Sequence, residues 1–226
     1  MGIVYNTSIV RNGLVLHLDA ANVKSYPGSG TSWNDLSGNG NNGTLTNGPT
    51  YDQAHFTFDG ANDTVDCGPV SQIGSALTSL SVSVWVYPTS ASARMILENG
   101  TNHTTNTFYL TQENSSYFTF EVYGTNYDVV YANYVYQLNT WYNLVGVWES
   151  NSRVNLYTNG VLTNGTRGGA VQSSVRDGNT NLFVGSRAGS QYFYSGKINQ
   201  PMLYNRALSV SEIMQNFEAT RRRYGI

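Results

Sequence analysis

The stretch Ser81-Val82-Ser83-Val84-Trp85-Val86-Tyr87-Pro88 constrains this chain more than any other. Its residues alternate with the period of two that a β-strand imposes. Pro88 stops it, because proline has no N–H to give to a ladder. Val82, Val84 and Val86 fall on one face, and Trp85 and Tyr87 on the other. A strand that is apolar on both faces is covered from both sides, so this one is central and buried between layers. Residues 141–148, Trp-Tyr-Asn-Leu-Val-Gly-Val-Trp, form a second strong central strand.

Shorter strands are expected around these two. Leu14, Leu16 and Leu18 alternate with His17 on the opposite face. Phe56, Phe58 and Val65 mark further strands, and Asp59 to Asp63 form an acidic turn between them. Residues 94–98, 107–111 and 117–123 follow. A hairpin joins 153–157 to 161–162 through Asn159-Gly160, a pair that tolerates positive φ at both turn positions. Residues 182–185, 192–201 and 202–204 complete the set. Charged residues make up only 12% of the chain, about half the usual share. Asn, Thr, Ser, Gly and Tyr fill the gap, which favours turns and half-buried strands over helices. One helix is expected, over residues 209–222. Ser209 caps it, Glu212 at the third position completes a capping box, and Ile213, Met214 and Phe217 give it an apolar stripe. Gly225 follows as a stop. The basic run Arg221-Arg222-Arg223 reads as a solvated helix end. The fold class is therefore all-β, a two-sheet antiparallel sandwich with a short C-terminal helix. Residues 1–12 read as a loose N-terminal arm and 13–226 as a single domain.

Composition also excludes partners. A net charge of −2 is wrong for a nucleic-acid binder, which needs a basic face. Cys67 is the one cysteine, so no intramolecular disulfide forms. The first residues lack the basic and apolar regions of a signal peptide. No apolar run reaches the about 18 residues of a membrane span. Synthesis in a cytoplasm without ordinary export is the expectation.

Two stretches are candidate sites. Residues 33–43 are glycine-rich and polar, yet carry the apolar anchors Trp33 and Leu36. Asp35, Ser37, Asn39 and Gly40 follow part of the oxygen spacing of a calcium loop. Thr46 stands where that loop needs a bidentate glutamate, and no helix flanks it, so an EF-hand is excluded. The loop is either a calcium site or a hydrogen-bonded loop pinned by Trp33 and Leu36. The second candidate is the tyrosine-rich region, with Tyr117, Tyr123, Tyr127, Tyr131, Tyr134 and Tyr136 within twenty residues. Tyrosine rings suit sheet packing, a protein interface or the apolar faces of sugars. Tyr123, Tyr127 and Tyr131 are the residues expected to contact a glycan. His17 reads as a structural histidine.

Three segments resemble the concanavalin A-like lectin/glucanase superfamily, and specifically its laminin-G-like, pentraxin-like jelly rolls of bacteria and tailed bacteriophages. They are residues 12–20 running into the 33–43 loop; Phe58-Asp59-Gly60-Ala61-Asn62-Asp63; and Tyr204-Asn205-Arg206-Ala207-Leu208-Ser209 followed by Glu212-Ile213. The resemblance implies a jelly-roll sandwich. It also implies calcium as a possible cofactor at a sandwich rim, where Asp59 and Asp63 would join Asp35, Ser37 and Asn39. Retaining glucanases on this fold carry a Glu-x-Asp-x-x-Glu strand, because two carboxyl groups about 5 Å apart perform the chemistry. None of the six glutamates has that neighbourhood. No hydrolase, lyase or other enzyme activity is therefore expected. Similarity to phage structural domains implies a virion surface protein, a capsid decoration or fibre component with capsid or tail partners, assembled as a trimer. The alternative is a glycan-binding adhesion module for surface polysaccharide.

Overall fold

The computed structural model describes residues 8–74, 76–100, 105, 107–114, 117–133, 135–176 and 180–226. Two antiparallel sheets face each other. The first runs in the order Val161–Leu162, Arg153–Thr158, Tyr142–Glu149, Ser79–Pro88, Ser195–Tyr204, Phe56–Asp59 and Thr50–Tyr51, with Leu14–His17 also paired to Ser195–Tyr204. The second runs Asn164–Gly169, Tyr127–Ala132, Phe118–Tyr123, Phe108–Gln112, Arg94–Asn99, Asn181–Val184, Thr64–Pro69, Gly43–Thr46 and Ser32–Trp33. The two long strands read from sequence are central, and Tyr142 to Glu149 pairs with Val86 to Ser79 in unbroken register.

The core lies between the sheets. Val82, Val84, Val86, Leu144 and Trp148 from the first meet Phe108, Leu110, Phe118, Phe120 and Val122 from the second. Fully burying each such side chain contributes on the order of 1.5–3 kcal/mol. The sheets approach tightly at Gly146: a Cβ there would stand 2.5 Å from the Phe120 ring.

The outer face of the first sheet is covered as well. Trp85 packs there with Phe217 and Tyr224, and Val145, Val147, Met202 and Tyr204 pack with Leu208 and Ile213. The helix Val210–Thr220 has the expected capping box between Ser209 and Glu212. It ends two residues early and continues as a 3-10 turn, Arg221–Tyr224. The basic run is not simply solvated. Arg223 donates to the buried carboxylate of Asp19 at 2.7 Å, and Arg221 donates to Glu218 at 2.8 Å. The N-terminal arm is packed rather than loose near the helix. Val10 is buried and its N–H donates to Asn216 on the helix at 2.8 Å; residues 1–7 lie outside the described residues. The hairpin at Asn159-Gly160 has positive φ at both positions, 51° and 78°.

Candidate functional site

The loop at residues 33–43 is held by Asp35. Its Oδ1 accepts the backbone N–H of His17 at 2.9 Å and of Ser37 at 2.8 Å. Its Oδ2 accepts the Ser37 hydroxyl at 2.7 Å and the Asn41 N–H at 3.1 Å. Asn39 and Asn41 turn their amide nitrogens toward the Val15 carbonyl oxygen. Trp33 is fully buried beneath the loop.

These residues do not fit a calcium ion as arranged. Both Asp35 oxygens are taken by N–H and O–H donors, and the asparagines present donors rather than oxygens. Asp59 and Asp63 organise their own turn: Asp59 accepts the Ala61 N–H at 2.8 Å and Asp63 accepts the Asp59 N–H at 2.9 Å. Among the described residues no group of three or more His, Cys, Asp or Glu side chains is placed to hold a metal. His17 is buried. Its Nε2 faces Gln200 at 3.3 Å, and its Nδ1 has no partner among the described residues.

A different site forms on the outer face of the second sheet. In Phe118–Tyr123, alternation sends Phe118, Phe120 and Val122 into the core, which leaves Thr119, Glu121 and Tyr123 facing out. Tyr109 and Thr111 likewise oppose Phe108 and Leu110. Register then aligns Phe183, Glu98, Tyr109, Glu121 and Val129 in one row across five strands. Two strand spacings separate Glu98 from Glu121, about 10 Å along the backbone.

Three adjoining hollows make this face a groove. One of about 360 Å³ is lined by Arg94, Tyr109, Glu113, Glu121, Arg187 and Tyr192, among others. One of about 470 Å³ is lined by Glu121, Tyr123, Tyr127, Tyr131 and Arg176. One of about 590 Å³ is lined by Tyr117, Tyr131, Asn133 and Thr166. Glu121 is common to the first two and Tyr131 to the last two, so the hollows lie side by side. Tyr123, Tyr127 and Tyr131 are thus brought together in the middle one. Tyr127 is 49% exposed, whereas Tyr123 is buried and donates its hydroxyl to Glu121 at 2.7 Å. Tyr134 lies outside the described residues.

Burial dominates the electrostatics. Glu98 has no exposed surface, and burial lifts its carboxyl to about 7, against the opposing pull of the Ala188 N–H, the Arg187 charge and the Tyr109 hydroxyl. Burial also raises Glu121; Tyr123 opposes the rise and the Glu113 charge adds to it. Glu98, Tyr109, Glu121, Arg187 and Tyr192 were not singled out from sequence. Alternation marks which residues face outward, but only the pairing register makes Glu98, Tyr109 and Glu121 neighbours.

Two antiparallel sheets with an aromatic groove on one outer face define a lectin-like β-sandwich. A laminin-G family model, described as concanavalin A-like lectin/glucanases superfamily, matches residues 58–214, and the chain belongs to that superfamily. Among solved structures it is similar to Trypanosoma rangeli sialidase in complex with the inhibitor DANA, with a TM-score of 0.69 and 16% identity over 93% of this chain and 33% of that one. It is similar to domain 4 of AbnA, a GH43 extracellular arabinanase from Geobacillus stearothermophilus in complex with arabinotriose, with a TM-score of 0.64 and 17% identity over 90% and 97% of the two chains. A third is the Botulinum neurotoxin serotype D binding domain, with a TM-score of 0.68 and 14% identity over 92% and 51%. At these identities the likeness is one of fold. The chain spans about a third of the sialidase. No curated protein matches the sequence. Among the described residues no helix is long and apolar enough to cross a membrane.

Proposed function

We propose that this chain is a non-catalytic glycan-binding module that holds an oligosaccharide along the groove of its second sheet. The observation that carries the reading is the adjacency of three tyrosine-lined hollows on one face. Tyrosine rings stack on the apolar C–H faces of sugars, while their hydroxyls and the neighbouring Glu, Asn and Arg groups hydrogen-bond sugar hydroxyls. The groove crosses from Arg94–Asn99 to Asn164–Gly169, five strands and about 19 Å. That length suits several sugar units rather than one terminal residue. The arabinanase domain that shares the fold was solved with arabinotriose, which lends the reading weight over capsid or tail partners, a trimer or a virion location. Those find no support in the fold or in the similar structures.

Binding without catalysis is supported by the lack of a Glu-x-Asp-x-x-Glu strand and by the burial of Glu98. Glu98 is sealed beneath Arg187 and has no exposed surface with which to reach a glycosidic oxygen. A glycan array followed by titration calorimetry tests the proposal. Tyr127→Ala and Tyr131→Ala should each weaken binding, roughly tenfold, as loss of an aromatic anchor does. Failure of every glycan to bind, or full affinity in both variants, would overturn it. Turnover of a β-glucan, agarose or alginate panel would overturn its non-catalytic part.

A further inference from the structure

The end of the groove nearest Tyr192 is built differently from the rest. Arg187 and Tyr192 come from the tight turn that follows Asn181–Val184, in which Arg187 and Gln191 form a bridge and Ala188 takes a φ of 51°. The Met95 N–H donates to the Tyr192 carbonyl oxygen at 2.9 Å, and two further bonds fasten this turn to the sheet. The Ala188 N–H donates to Glu98 Oε2 at 2.8 Å, and Arg187 Nη2 donates to the Tyr109 hydroxyl at 3.1 Å. The guanidinium sits 5.5 Å from the Tyr109 ring centre and 5.7 Å from that of Tyr192. Behind it, Glu98 Oε1 stands 4.0 Å from Arg187 Nε and has no hydrogen-bond partner among the described residues.

A carboxylate without exposed surface costs free energy unless it is fully paired. Here the pairing is loose, and its effect is to fix one arginine against two rings. That arginine remains 17% exposed and lines the hollow of about 360 Å³. Arg94 lines the same hollow and forms no ion pair among the described residues. Glu113 and Glu121 line it too.

We propose that this end of the groove seats the carboxylate of a uronic acid residue, with Arg187 as the anchor and Arg94 as the second cation. This rests on the glycan-binding reading and adds the chemical class of the sugar. A planar guanidinium matches a carboxylate in bidentate fashion. Glu113 and Glu121 accept the hydroxyls of the same sugar, and their charge disfavours a bare or doubly charged anion. Glu98 is a positioning residue that acts through Arg187. Ionised, it offsets the guanidinium charge; protonated, it releases that charge to the ligand. Tyr109, Glu113, Glu121, Tyr192 and Arg94 are the other titratable or charged groups that line the hollow around this pair. Uronate binding therefore tightens as pH falls through the neutral range to which burial lifts Glu98.

The test is calorimetric titration with α-1,4-galacturonate and β-1,4-mannuronate hexamers, each beside its carboxyl-reduced counterpart, at pH 6 and pH 8. At pH 6 at least one uronate should bind about tenfold or more tightly than its reduced form, the usual scale of a charge-assisted bond. Arg187→Gln should abolish that preference. Glu98→Gln, which keeps an acceptor for Ala188, should keep the preference and remove its pH dependence. The comparison of charged and reduced oligomers on the unaltered protein needs no variant to fold. Equal affinity for both forms, or a preference that survives Arg187→Gln, overturns the proposal. If neutral glycans bind and neither uronate does, the uronate inference falls and the glycan reading stands. If no glycan binds, both fall.

Discussion

Asp35 Oδ1 accepts the backbone N–H of His17 at 2.9 Å, and the N–H of Leu36 returns a bond to the His17 carbonyl oxygen at 2.8 Å. The loop at residues 33–43 is thereby latched onto the first strand across eighteen residues of chain. Asp35→Ala strips an acceptor from the N–H groups of His17, Ser37 and Asn41 and from the Ser37 hydroxyl. Each unsatisfied buried donor costs about 1–3 kcal/mol; with the loop partly exposed, the expected total loss is about 2–4 kcal/mol. Urea unfolding should show a lower midpoint at unchanged slope. Excess EGTA should leave the melting temperature of the unaltered protein where it was, and a clear drop would restore the calcium reading of this loop.

His17 and Glu98 respond to acid in opposite directions. Burial lowers His17 from 6.5 to about 4; Asp19 and Asp35 pull against that shift, and Arg11 and Arg223 add to it. The unfolded chain therefore binds the His17 proton more readily. The stability tied to neutral His17 is fully present above pH 6.5 and is lost as pH falls toward 4. Glu98 is raised from 4.5 to about 7, so its contribution is present below pH 4.5 and is lost as pH rises toward 7. Between pH 4.5 and 6.5 the two partly cancel. His17→Gln should make the protein gain stability on acidification through that window, and Glu98→Gln should make it lose more than the parent does. Melting temperatures at half-unit pH steps would show this; parallel curves for all three proteins would refute it.

Much of the fold was legible because its central strands are apolar on both faces. Ser79–Pro88 and Tyr142–Glu149 announce themselves by alternation, and the capping box announces the helix. The second sheet was harder to read. Gly43–Thr46 is short, and Asn164–Gly169 is an edge strand of Asn, Gly, Thr and Arg with no apolar face. Its pairing with Tyr127–Ala132 comes from the sheet as a whole rather than from its own residues. The groove was half legible. Tyr123, Tyr127 and Tyr131 stand out as tyrosines, but the row through Glu98, Tyr109 and Glu121 joins residues 11 and 12 apart. Arg187 arrives from a turn almost ninety residues beyond Glu98. Nothing local in the sequence encodes that meeting.

Gly146 tests how tightly the sheets are packed. A Cβ at this position would meet three Phe120 ring carbons at 2.5–2.7 Å. Phe120 is itself fully buried and has nowhere to retreat. Gly146→Ala should therefore destabilise the protein by about 1–3 kcal/mol through overpacking. Phe120→Leu should relieve part of that cost, so a double-mutant cycle should give a favourable coupling energy. Strict additivity of the two substitutions would argue against the contact.

Trp85 and Tyr224 stack with ring centres 3.9 Å apart and planes 14° from parallel, and Trp85 Nε1 donates to Thr220 Oγ1 at 3.1 Å. Phe217 stacks on the same indole at 5.8 Å, and the Tyr224 hydroxyl accepts a bond from Asn199 at 3.1 Å. The C-terminal segment is thus bolted to the outer face of the first sheet through one tryptophan. Tyr224→Ala removes a buried ring and leaves the Asn199 amide without that acceptor, so a loss of about 3–5 kcal/mol is expected. Tryptophan emission should shift to the red as water reaches Trp85. The groove lies on the other sheet, with the whole core between, so glycan affinity measured well below the melting temperature should not change. A loss under 1 kcal/mol would mean that the helix is held mainly by Ile213 and the Arg206–Glu212 pair. A change in glycan affinity would mean that the two outer faces are coupled through the core.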